Sequence, residues 1–230
     1  MKTEKTIGIS LIAGALGVLI PYIILTSLFD YPNILREESG VILVKFHEGG
    51  QQLIWTWWAF AMLGLPLLKA YILIGQKLES QFTFVRWATT VGIIGLIVQM
   101  VGLLRWTFVV PVLANNFIAG SEITKEASKI GFQMIHQFGG VLLGEHIGQL
   151  FTIMWTVMIT FAFAQLKYFP KWIIVLGYVS TFLYLLAQTE LFATVIPTVF
   201  VIDWAGLIGS TLWIIWLIAV GVYMLKIKME

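Results

Sequence analysis

IHQFGGVLLGEHIGQLFTIMW, residues Ile135 to Trp155, places two imidazoles, a carboxylate and two amides inside an apolar stretch of membrane-spanning length. His136, Gly140, Gly144 and Gly148 recur every four residues, so on an α-helix they stack into one smooth, narrow stripe. Glu145 and Gln149 share the adjacent face, as do His146 and Gln149 at the closer spacing. Such a helix expects a close neighbour and a polar interior rather than lipid.

The rest of the chain belongs to the same solvent. Its 230 residues are 59% hydrophobic and 11% charged, against roughly 25% charged in soluble domains. This composition predicts an all-α integral membrane protein with membrane lipid as its surroundings. The formal net charge of +2 is too small, and the lysines too scattered, for a nucleic-acid partner. No cysteine is present, which removes disulfides, thiolate catalysis and cysteine-held zinc or iron–sulfur sites. MKTEK before an apolar run has the look of a secretory signal. Ile7–Phe29 is, however, longer than a signal core of about 7–15 residues, and no small-residue cleavage site ends it, so it is read as a retained first helix.

Six runs are long enough to cross a hydrocarbon core about 30 Å thick, which takes about 20 helical residues. They lie near Ile7–Phe29, Leu53–Ile74, Ala88–Ala114, Gly139–Gln165, Trp172–Gln188 and Trp204–Leu225. Together they predict a single six-helix transmembrane domain over 1–230. Lys2, Lys5, Lys77, Arg86, Lys167, Lys171, Lys226 and Lys228 all fall on one side of this arrangement. The other side collects Asp30, Glu37, Glu38, Glu48, Glu122, Glu126, Glu190 and Asp203, against only Arg36, Lys45, Lys125 and Lys129. The asymmetry places both termini in the cytoplasm.

Two connections on the outer side are expected to carry amphipathic helices, one around VILVKF between Tyr31 and Gly50, the other across SEITKEASKIGFQMIH from Ser121 to His136. Phe192–Ile202 is apolar but interrupted by Pro197, so the fifth run either passes Glu190 or folds back at the proline. Trp55, Trp57, Trp58 and Trp204 are assigned to the outer membrane interface, Trp87 and Trp172 to the inner one. Pro21, Pro66 and Pro111 lie inside apolar runs and are expected to kink them.

Arg105 sits roughly nine residues, about 13 Å, inside the outer end of the third run, and Glu145 roughly seven residues, about 10 Å, inside that of the fourth. Antiparallel neighbours then bring both charges to nearly one depth. An unpaired charge there costs about 2.5 kcal/mol or more, so an Arg105–Glu145 ion pair is expected. It either pins two helices together or marks a binding site in which Arg105 anchors an anionic ligand or Glu145 titrates. His146, Gln149, Gln99 and His136 gather at the same level, joined by Glu190 and Gln188 from the fifth run. The histidines His47, His136 and His146, with Glu48 or Glu145, could form a zinc or iron site. Their spacing does not require one, no HExxH occurs, and no cofactor is predicted.

GLLRWTFVVPVLA, the glycines and glutamate Gly140, Gly144, Glu145 and Gly148 with Trp155, and the six-run layout resemble the bacterial membrane proteins grouped as domain of unknown function 4386. The likeness extends through FPKW to the sixth run and covers Arg105, Trp106, Pro111, Gly140, Gly144, Glu145 and Gly148. It implies a multi-pass protein of a bacterial cytoplasmic membrane with no established activity.

The expected function is an outward-facing polar pocket between the third, fourth and fifth helices that binds a small or lipidic ligand or a partner protein. Its binding residues are Arg105, Glu145, His146, Gln149, His136, Gln99 and Glu190, with Gly140, Gly144 and Gly148 as structural positions. Two alternatives stand beside it: a membrane enzyme using Glu145 and histidines, with or without a metal, on a lipid-phase substrate, and a structural or accessory subunit. Enzymatic character and oligomeric state are left open by the sequence.

Overall fold

The computed structural model describes residues 2–227; Lys228, counted above in the charge asymmetry, lies outside them. Among the described residues the chain is helical, with no strand. It carries six helical stretches long and apolar enough to cross a membrane: Lys2–Phe29, Ser39–Leu78, Phe84–Ala119, Glu122–Leu166, Lys171–Ala193 and Ala205–Met224. The protein is therefore an all-α, multi-pass membrane protein, as its apolar runs require.

Several of these stretches are segmented, and the sequence explains where. The first is one unbroken helix, α1 (Lys2–Phe29), which continues through Pro21. The second divides into α2 (Ser39–Met62) and α3 (Leu65–Leu78), the third into α4 (Phe84–Phe108) and α5 (Val110–Ala119). Pro66 and Pro111 each stand in the first turn of the new helix, where a missing N–H leaves no bond unmade. The two prolines thus mark the interruptions of the second and third stretches, each opening the segment that follows. Within α2, Gly50 adopts φ 54°, ψ −147°, a backbone region essentially restricted to glycine, and bends the helix between the VILVKF segment and the tryptophan-rich segment.

The fourth stretch is built from α6 (Glu122–Ile135), a π-helix over His136–Ile147, and α7 (Gly148–Leu166). Ser121 caps α6, its Oγ accepting from the Thr124 backbone N–H at 3.4 Å. The fifth comprises α8 (Lys171–Leu186) and α9 (Gln188–Ala193), so helical structure passes Glu190 and ends before Pro197. The sixth is α10 (Ala205–Met224).

The chain divides into two compact units, each assembled from separated stretches. The first contains the residues up to Leu16, Gly64–Ile97 and the chain from Glu145 onward. Its apolar core joins Ile7 and Leu11 of α1, Ala70, Tyr71 and Ile74 of α3, Trp155 and Ile159 of α7, and Trp216 and Val220 of α10. Tyr71 stacks on Trp155 with ring centroids 3.5 Å apart, and Trp216 meets Trp155 edge-on at 5.9 Å. A Cβ on Gly8 would lie 2.6 Å from the Gly221 carbonyl, so α1 and α10 pack backbone to backbone. Buried Thr156 accepts from Trp213 Nε1 at 3.0 Å, tying α7 to α10. At one end, buried Glu4 forms a 2.8 Å ion pair with Lys77.

The second unit contains Gly17–Leu63 and Val98–Gly144. Phe29, Phe46, Trp57 and Trp106 form its centre, all essentially fully buried. Trp57 stacks on Trp106 at 4.8 Å and 12°, Phe46 on the same indole at 5.7 Å and 23°. Trp57 is therefore a core residue and not the interfacial one its neighbours suggested; Trp55, Trp58 and Trp204 are exposed, as are Trp87 and Trp172. Ile42, Leu43 and Phe46 of the VILVKF segment likewise turn into this core. On α6, Phe132 is buried while Ile123, Ile130 and Met134 face outward.

Candidate functional site

In the second unit the site is organised on the π-helix. The i→i+5 hydrogen bonding of the π-helix widens each turn beyond the α-helical 3.6 residues, so the stretch is not the regular α-helix on which His136, Gly140, Gly144 and Gly148 were expected to stack. Gly139 and Gly144 both pack on Gly102 of α4. A Cβ on Gly102 would sit 2.5 Å from the Gly139 oxygen and 2.8 Å from Gly144 Cα. Sequence reasoning missed Gly102, though its place three residues before Arg105 puts both on one helical face.

Gly140 serves a different purpose. A Cβ there would lie 2.5 Å from Arg105 Nη2 and 2.8 Å from its Cζ, so the guanidinium occupies the space a side chain at 140 would need. Arg105 is buried. Its Nη1 donates to the Gly102 carbonyl at 2.5 Å, and Nη2 lies 3.5 Å from His136 Nδ1. His136 is stacked on Phe132 at 5.4 Å and meets Trp106 edge-on at 6.2 Å, which attaches the imidazole to the aromatic core. Arg105 and His136, both expected binding residues, are thus brought together; Gln99 lies half-buried on α4 in the same unit.

In the first unit His146, Gln149 and Gln188 form a hydrogen-bonded chain. His146 Nδ1 lies 2.8 Å from Gln188 Oε1, and Gln188 Nε2 donates to Gln149 Oε1 at 2.7 Å. Gln188 is buried at the start of α9, and Phe192, one turn further on, meets the His146 ring edge-on at 5.4 Å. The amide of Gln188 therefore links the π-helix and α7 to α9. Glu145 and Glu190 are half-buried in this unit. Arg105 and Glu145 belong to different units, and the ion pair expected between them is a reading of the sequence.

The three histidines meet three different partners. His47 is exposed with Nδ1 3.0 Å from Asn115 Oδ1, His136 neighbours Arg105, and His146 bonds Gln188. Among the described residues, no three His, Asp or Glu side chains gather closely enough to hold a metal ion. The glycines of α1 are also engaged: besides Gly8, Gly14 packs against Leu67 and Gly17 against Leu63.

Chemically, the two clusters offer a buried cation beside an imidazole, and an imidazole held by neutral amides. No curated protein and no solved structure matches the sequence. Residues 6–221 match the family model described as Domain of unknown function (DUF4386), and the chain belongs to that family.

Proposed function

We propose that this protein binds an anionic small molecule or lipid headgroup through Arg105, in a bacterial cytoplasmic membrane with both termini on the cytoplasmic side. The observation that carries the reading is the guanidinium seated on Gly140: the chain forgoes a side chain at that position, within a π-helix, and holds a buried cation there. π-helical segments concentrate at functional sites. His136 adds a second polar atom 3.5 Å from the guanidinium, held against Phe132 and Trp106. A guanidinium suits phosphate and carboxylate groups because its donors match two oxygens at once. Gln99 belongs to this reading, and Glu190 and Glu145 to its wider polar surroundings.

Native mass spectrometry of the detergent-purified protein, with elemental analysis for zinc, iron, copper and manganese, tests it. An anionic lipid or small anion retained by the wild type and lost from Arg105→Gln is the expected result. A stoichiometric metal would instead favour a metal-using membrane enzyme. Protein free of any ligand would favour a structural or accessory role.

A further inference from the structure

We propose that His146 is a second binding position, independent of Arg105, and accepts a hydrogen bond at Nε2 from a hydroxyl-bearing ligand with an apolar body. An amide oxygen can only accept, so the 2.8 Å contact with Gln188 Oε1 puts the imidazole proton on Nδ1. Neutral imidazole carries one proton, which leaves the lone pair on Nε2. Gln188 cannot turn its amide around alone, since its Nε2 is engaged with Gln149 Oε1 at 2.7 Å and both amides would have to turn together. In this orientation of the two amides the Gln149–Gln188 chain sets the tautomer of His146, as a hydrogen-bonded neighbour does for a functional histidine.

The surroundings define the ligand class. His146 is half-buried, and Phe192 beside it at 5.4 Å is 45% exposed, so an apolar surface flanks the acceptor. A neutral acceptor with no cation among the groups that hold it selects an O–H donor over an anion. Lipids with a free hydroxyl and water-soluble alcohols share this chemistry.

The test uses full-length protein labelled with ¹⁵N-histidine in phosphatidylcholine nanodiscs. Substitution of each of the three histidines in turn assigns the imidazole signals. The expected spectrum shows His146 protonated at Nδ1 and bare at Nε2. Adding diacylglycerol to the bilayer should shift its Nε2 signal, whereas triacylglycerol, which lacks the hydroxyl, should not. A shift with glycerol in place of diacylglycerol would assign the same site to a soluble alcohol. Gln188→Leu should weaken the response about tenfold, the equivalent of one hydrogen bond's orientation. An Nε2-protonated or doubly protonated His146 in the wild type overturns the proposal, as does an Nε2 signal unmoved by either alcohol. An anion retained by the wild type and lost from Arg105→Gln, with the His146 response unchanged, distinguishes the two positions.

Discussion

Around Arg105 the chain removes side chains, whereas around Gln188 it adds them. In the second unit a cation is buried by clearing space: Gly140 lies beneath the guanidinium, Gly102 supplies a carbonyl to it, and Gly139 and Gly144 let α4 come close. In the first unit the buried group is a neutral amide, and complementary side chains, His146 and Gln149, are brought to its two ends. The difference follows from what each group needs. A guanidinium is planar and rich in donors, so it requires area and backbone oxygens close by. A carboxamide requires one donor and one acceptor in line, and single side chains can furnish them.

The contrast breaks most readily at Gly140. Gly140→Leu would place a side chain where the guanidinium lies, forcing Arg105 away from Gly102 and His136. The expected loss is about 1–3 kcal/mol by overpacking. Gly206→Leu is the control, since the nearest heavy atom to a Cβ there is Ala187 Cβ at 3.7 Å. Reversible unfolding of both variants in mixed micelles measures the difference; equal midpoints would mean the cradle plays no part.

Glu145→Gln comes next. Glu145 is half-buried within the fourth stretch, while the Glu122 side chain is 89% exposed. Pairing of Glu145 with Arg105, as the sequence suggests, requires Glu145→Gln to lower stability by about 1–2 kcal/mol, with Glu122→Gln within about 0.5 kcal/mol of wild type. Detergent melting curves of the two variants that coincide would remove the pairing.

The smallest effect belongs to the neutral chain. Gln188→Leu removes both of its hydrogen bonds, yet polar contacts between membrane helices contribute only about 0.6 kcal/mol on average. A small change in unfolding midpoint with a large change in the His146 imidazole spectrum is the expected combination. A loss larger than that of Gly140→Leu would reverse the ranking of the two clusters.

Much of the architecture follows from local chemistry. The six crossings are legible because about 20 apolar residues suffice to satisfy a span, whatever packs against it. Ser121 is legible as a cap because its hydroxyl serves its own next turn. Pro66 and Pro111 announce an interruption, but only the fold shows that each opens a new helix while α1 continues past Pro21. Trp57 differs from Trp55 and Trp58 in nothing local. Its burial comes from Phe29 and Trp106, on helices distant in sequence.

The candidate residues divide in the same way. Composition alone marked Arg105, His136, His146 and Gln149, because polar groups inside apolar runs must be accounted for energetically wherever they point. Which of them meet depends on helix register, and the four-residue glycine spacing described an α-helix where the chain forms a π-helix. A sequence specifies spacing along the chain but not the pitch on which it is wound. Membrane insertion is therefore written into the apolar runs themselves, whereas the pairing of Gly139 with Gly144 against Gly102, and the seat of Arg105 on Gly140, required the tertiary structure, because the distances that decide them lie between helices.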